Sequence, residues 1–140
     1  CDPSKNVSEL LWGFAEPINI ASINRKDEIP SGKIKGLSIT NVRCKGEGSI
    51  YIAGKDSAPI EELTLNNIRL ELEKTTKYPI KGYDFRPCCG PDFQEGKING
   101  IYVKNAKNVK AENLEVTVHD NMKEWVDKEI CFENAVVKEK

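Results

Sequence analysis

Leu37-Ser-Ile39-Thr-Asn41-Val42, Leu63-Thr-Leu65-Asn-Asn67-Ile68 and Val109-Lys-Ala111-Glu-Asn113-Leu114 are three copies of one short pattern. Apolar residues alternate with polar ones and the run ends each time on Asn followed by an apolar residue. Alternation with period two marks a strand with one face buried. A strand that closes repeatedly on Asn-apolar describes a chain turning the same corner on successive passes, which is the logic of a parallel β-solenoid.

Two further series fit the same frame. Ile18-Asn-Ile20, Ile50-Tyr-Ile52, Ile101-Tyr-Val103 and Ile130-Cys-Phe132 precede or separate the Asn-ending strands, and Val42-Arg-Cys44, Ile68-Arg-Leu70 and Leu114-Glu-Val116 follow the Asn corners. The unit is strand, turn, strand, Asn corner, strand, loop. Leu37 and Leu63 are 26 residues apart, whereas Leu63 and Val109 are 46 apart, so a long insertion lies between Thr75 and Asn99. Repeats of roughly 20–50 residues suit solenoids, and loops that vary on a regular scaffold are where function concentrates. The expectation is an all-β, right-handed parallel β-helix of three to four coils in which Asn41, Asn67 and Asn113 form a ladder. Asn suits that corner because it tolerates left-handed backbone angles and its amide can bond its stacked neighbours.

At 140 residues the chain holds one domain, residues 1–140. The formal net charge of −1 gives no basic excess that would argue for nucleic acid. No apolar run approaches the roughly 18 residues needed to span a membrane. The first residue is Cys1 and the single Met is Met122, which suggests a processed protein, an excised piece or the end of a longer polypeptide. Five cysteines do not make a fully paired framework. Cys44 falls where other coils carry Leu70 and Val116 and is expected to pack as a small hydrophobe. Cys131 falls at the position of Tyr51 and Tyr102, facing out of the coil. Cys88-Cys89 suits a vicinal disulfide or a metal, yet no second ligand pair stands at zinc spacing. No cofactor is expected.

Val7, Leu10, Leu11 and Phe14 stand at i, i+3, i+4 and i+7, predicting a short N-terminal helix capped by Asn6 or Ser4 and covering the open end of the stack. The alternative is that Leu11–Ile20 belongs to a preceding coil. Tyr78–Phe93, rich in Pro, Gly and aromatics, reads as a structured loop. Tyr51 and Tyr102 are expected one above the other on the outer face, as a packed ladder or a carbohydrate platform.

The runs Leu11-Trp-Gly-Phe-Ala-Glu16-Pro, Gly32-Lys-Ile-Lys-Gly-Leu-Ser-Ile-Thr-Asn-Val42, Tyr83-Asp-Phe-Arg-Pro87 and Gly100–Val109, with Arg25, resemble the C-terminal coils of glycoside hydrolase family 28. The resemblance is to polygalacturonase-like and rhamnogalacturonan-processing members and extends from Leu11 onward. It implies a pectin-lyase-like β-helix handling pectic polysaccharide or oligosaccharide, and a chain that is the C-terminal part of a longer β-helix. Members of that family invert at the anomeric carbon with paired Asp carboxylates, one protonating the leaving oxygen and another activating water. Their Asn-x-Asp, Asp-Asp and Gly-His-Gly segments have no counterpart here, and the only histidine is His119. No catalytic residue transfers, and the chain by itself is expected to be inert.

Trp12, Glu16, Arg25, Tyr83, Asp84 and Arg86 are the residues expected to face a sugar. They combine aromatic faces for rings with a guanidinium for a carboxylate. The competing reading gives Asp84 and Arg86 to loop bonding and Trp12 to the end cap. Two functions follow: the C-terminal portion of a pectin-active hydrolase, or a non-catalytic carbohydrate-binding or structural β-helix protein, such as a surface lipoprotein anchored through Cys1. A calcium-dependent lyase is weaker, because no close acidic triplet lies on an outward strand face. The expected location is extracellular or periplasmic, and open coil ends would permit self-association.

Overall fold

The period-two runs become strands because their β-branched and leucine side chains can all be driven to one side of a pleated backbone. The computed structural model describes residues 16–23, 30–84 and 93–137. Eight strands are present there: β1 (Ile18–Ala21), β2 (Lys35–Gly46), β3 (Ile50–Ala53), β4 (Ile60–Leu72), β5 (Gly82–Asp84), β6 (Phe93–Glu95), β7 (Ile101–Val118) and β8 (Ile130–Val137). A 3-10 turn, Asp120–Met122, follows β7. The expected N-terminal helix, Cys1, Cys88 and Cys89 lie outside the described residues.

Six strands form one parallel sheet in the order β1-β3-β7-β4-β2, with β8 added against β7, while β5 and β6 make a separate antiparallel hairpin. The expected registers hold. Leu37 pairs with Leu63 and Leu63 with Val109, and Cys44, Leu70 and Val116 share a row. Ile18, Ile50, Ile101 and Ile130 form another row.

The sheet curls because β7 serves two neighbourhoods. Its first residues pair with β3 and its remainder with β4. What the second pass builds from two strands, the third builds from one 18-residue strand. The bends are made by left-handed residues stacked in columns. Asn41, Asn67 and Asn113 have φ of 57°, 54° and 53°. Gly36, Glu62 and Asn108 form a second column at 73°, 57° and 54°, flanked by the paired rows Lys35–Glu61–Lys107 and Leu37–Leu63–Val109. Asn105 and Asn134 form a third, at 52° and 49°. Asn and Gly enter this region at least cost. Glu62 is the exception, and it is held there by the rows on either side.

The first column is a ladder of amides. Asn113 Nδ2 donates to Asn67 Oδ1 at 3.0 Å, and Asn67 Nδ2 donates to Asn41 Oδ1 at 2.9 Å. A second ladder, not foreseen from the sequence, links Asn134 Nδ2 to Asn105 Oδ1 at 2.7 Å and Asn105 Nδ2 to the Gly54 carbonyl at 3.0 Å. Gly54 is required there, since an added Cβ would stand 2.5 Å from the Asn105 carbonyl oxygen.

The core runs down the middle of the stack. Leu63, Leu65, Ile68 and Leu72 of β4 are fully buried, whereas Leu37, Ile39, Val42 and Cys44 on one side and Leu114, Val116 and Val118 on the other are only half-buried. Burial thus falls off on either side of β4, toward β2 and toward the end of β7, which among the described residues pairs with β4 alone.

Candidate functional site

The insertion between β4 and β7 fixes where the candidate residues lie. It leaves β4 as a loop tied down by Glu47, crosses to the β5–β6 hairpin, and lays that hairpin on the outer face of β3 and β7. Gly82 permits the close pairing of the hairpin: its φ is 133°, and a Cβ would fall 1.8 Å from the Gln94 carbonyl oxygen.

Tyr83, on this hairpin, stacks its ring on Tyr51 with centroids 4.8 Å apart and on Tyr102 at 5.6 Å; Tyr51 and Tyr102 meet edge-on at 5.5 Å. The predicted vertical register of Tyr51 and Tyr102 is present, but the outer face they stand on is covered. Tyr51, Tyr83 and Tyr102 are 3%, 2% and 4% exposed. The outer face is therefore closed to solvent at β3, where Ile50–Ala53 is buried on both sides. Tyr83, expected to face a sugar, is instead the lid of an aromatic cluster. Its phenol accepts the Asn99 N–H at 2.8 Å and lies 3.0 Å from the Ser49 hydroxyl, which in turn bonds the Asn99 carbonyl. Burial pushes the Tyr83 phenol above its ordinary pKa, with the Ser49 and Asn99 hydrogen bonds opposing. Tyr51 and Tyr102 are raised further, first by burial, then by their neighbours, Tyr83 for the one and the Glu133 carboxylate for the other.

Glu16 precedes β1 and accepts a hydrogen bond from Asn19 Nδ2 at 2.7 Å. Its charge contributes to raising both Tyr51 and Tyr83. The structure therefore brings Glu16 into the neighbourhood of Tyr51 and Tyr83. Asp84 closes β5 opposite Phe93. Trp12, Arg25 and Arg86 lie outside the described residues.

Two polar arrangements emerge that the sequence reading did not single out. Glu47 is clamped by the Thr75 and Thr76 N–H groups, by both threonine hydroxyls and by Lys74 Nζ at 3.2 Å. Burial alone would raise its pKa, but the Thr76 and Thr75 N–H bonds, the Thr76 hydroxyl and Lys74 outweigh this and bring it down to about 2. This clamp anchors the base of the insertion, and Asn121 reinforces it by exchanging two 3.0 Å hydrogen bonds with the Lys74 backbone.

The second arrangement lies on the uncovered face of β2 and β4. Arg43 and Arg69 stand directly opposite in register. Two shallow clefts meet there. One, about 250 Å³, is lined by Asn41, Val42, Arg43, Asn67 and Arg69. The other, about 160 Å³, continues past Arg43 and Arg69 to Lys45, Glu71 and Thr117. Arg69 Nε is 3.5 Å from Glu115. Lys45 Nζ is 2.6 Å from Glu73 and 3.6 Å from Glu71, which His119 Nε2 meets at 2.6 Å. A signal for this site stands in the repeat itself: Asn41-Val-Arg43 and Asn67-Ile-Arg69 place an arginine two residues after each ladder asparagine.

Among the described residues, no group of three His, Cys, Asp or Glu side chains is placed to hold a metal ion, and no helix is long and apolar enough to cross a membrane. Asp56 accepts from Asn134 at 3.2 Å and Asp120 pairs with Lys123 at 2.8 Å. No family model, curated protein or solved structure matches this chain.

Proposed function

We propose that this curled parallel sheet is part of a right-handed parallel β-helix that acts on pectic polysaccharide. In this reading the chain supplies scaffold and a sugar-binding surface to a polygalacturonase-like hydrolase, and no catalytic residue. The observation that carries the reading is the register of Leu37, Leu63 and Val109 with its asparagine ladder. Such stacking gives a rigid, elongated surface suited to a linear polymer. The Trp12-Gly-x-x-Glu16-Pro17 and Asp84-x-Arg86-Pro87 resemblance supplies the substrate class. The arginine-lined cleft supplies cationic groups of the kind a uronic-acid chain requires. Such a substrate is met outside the cytoplasm, so the reading carries an extracellular or periplasmic location. The half-buried rows on β2 and on the end of β7 are where further coils, or a second copy, would stack.

Isothermal titration of oligogalacturonate into the chain tests this reading. Saturable binding without release of new reducing ends is expected. No binding at millimolar sugar contradicts the pectic assignment, and hydrolysis by this chain contradicts its non-catalytic role.

A further inference from the structure

Two guanidinium groups directly opposite on neighbouring parallel strands repel one another, so their pairing calls for an anion. Strand spacing puts the Arg43 and Arg69 backbones only about 4.8 Å apart. The carboxylate beside them, Glu115, stands against Arg69. Arg43 is exposed, and no described carboxylate forms an ion pair with it. The other charges lining the clefts are already engaged. Glu71 is held by His119 and Lys45, and Glu73 by Lys45.

The asparagine ladder adds a direction. Each rung donates toward β2, from Asn113 to Asn67 and from Asn67 to Asn41. The ladder thus ends with the Asn41 amide N–H groups unused by any described acceptor, on the same rim as Arg43. Along β2, Asn41 and Arg43 present donors roughly 7 Å apart, at about 3.3 Å per residue. The clefts they line share Arg43 and Arg69 and form one groove open to solvent.

We infer that this groove binds the carboxylates of an acidic polysaccharide, with Arg43 as the principal anchor, Arg69 shared between the ligand and Glu115, and the Asn41 amide donating to a neighbouring sugar oxygen. Arg suits this task because its planar fork matches a carboxylate with two parallel N–H bonds. The groove is shallow and polar and lacks an exposed aromatic platform, so its recognition rests on charge. This inference rests on the reading of the chain as a pectin-handling protein and sharpens it to the uronate carboxylate.

The test titrates oligogalacturonate, its fully methyl-esterified form and oligoguluronate, a uronate polymer from outside the pectins, into the wild-type chain and into Arg43→Gln, Arg43→Lys, Arg69→Gln and Lys110→Gln. Thermal melts confirm that each exposed-site variant is folded. Arg43→Gln is expected to weaken oligogalacturonate binding about tenfold, the value of one charge-assisted contact. Arg43→Lys and Arg69→Gln should weaken it less, Lys110→Gln should leave it unchanged, and the methyl ester should bind poorly. Oligogalacturonate binding unchanged by Arg43→Gln, or equal binding of the methyl ester, overturns this inference and leaves the pectic reading standing. Arg43-dependent binding of oligoguluronate without oligogalacturonate upholds the groove and overturns the pectic reading. Binding of neither polymer overturns both.

Discussion

The two faces of this sheet are built from the same alternating strands and end in opposite conditions. Around β3 and the start of β7 the outer face is sealed: the β5–β6 hairpin lies on it, and Tyr51, Tyr83 and Tyr102 pack into one cluster. Across β2, β4 and the end of β7 the outer face is left to water, with Arg43, Lys45, Arg69, Glu71 and Glu115 projecting from it. A parallel strand covered on both sides is apolar throughout, and one covered on a single side alternates. Ile50-Tyr-Ile-Ala53 and Ile60–Leu72 illustrate the two cases within one pass. The difference assigns the roles: the covered face fixes the insertion in place, and the open face remains available to a ligand.

Breaking the centre that both faces share should have the largest effect. Leu65 is fully buried between Ile39 and Ala111. Leu65→Asp buries an unpaired carboxylate, a penalty of roughly 4 kcal/mol or more, and should abolish the cooperative melt followed by circular dichroism. Ile39→Asp, in the same row but half-buried on β2, should still melt cooperatively at a lower temperature. Equal damage from the two substitutions would deny the fall-off of burial toward β2.

The sealed face is next. Tyr83→Ala removes the ring that covers Tyr51 and Tyr102 and should cost about 3 kcal/mol, in line with other aromatic truncations in cores, read from the denaturation midpoint. It should also make Tyr51 and Tyr102 accessible to nitration. An unchanged midpoint would place the hairpin away from the tyrosine cluster.

The Glu47 clamp provides a pH test of the insertion's base. Its folded pKa, about 2, lies below the ordinary carboxylate value of 4.5. Its stabilising contribution is therefore fully present above about pH 4.5 and is lost as the pH falls toward 2. Glu47→Gln should cost about 2 kcal/mol, typical of charge-assisted hydrogen bonds, and should reduce the acid sensitivity of the melting temperature within that window. A variant with the same acid profile as wild type would remove Glu47 from this role. The smallest expected effect is a gain. Glu62 holds φ of 57° where its column neighbours are Gly36 and Asn108. Glu62→Gly should stabilise the chain by about 0.5–1 kcal/mol by relieving the left-handed strain, visible as a small rise in melting temperature. A fall would show that the Glu62 side chain contributes more than its backbone costs.

The open and sealed faces were not equally legible in the sequence. Rows such as Leu37–Leu63–Val109 and Ile50–Ile101–Ile130 could be read directly, because a strand's period-two pattern and a recurring corner residue are local signals. The Asn41–Asn67–Asn113 ladder was visible for the same reason. The Asn105–Asn134 ladder was obscured because its partner on the second pass is Gly54, whose carbonyl replaces a side chain. Glu62 hid its column because glutamate gives no local hint of a left-handed angle. The burial of Tyr83 depends on where a long insertion lands, a tertiary event without a periodic trace. Of the expected sugar-facing residues, Glu16 was placed beside that cluster. Arg43 and Arg69 were passed over because, read singly, each is an ordinary solvated residue on a strand; their significance comes from direct opposition across two passes.

Inter-strand nuclear Overhauser contacts on an isotopically labelled chain address the parallel stacking most directly. Amide-to-α-proton contacts should link the Leu37 strand to the Leu63 strand, and the Leu63 strand to the Val109 strand, in the staggered pattern of parallel pairing, with Leu63 in the middle. Close α-proton pairs typical of antiparallel strands, or contacts joining Leu37 directly to Val109, would contradict it.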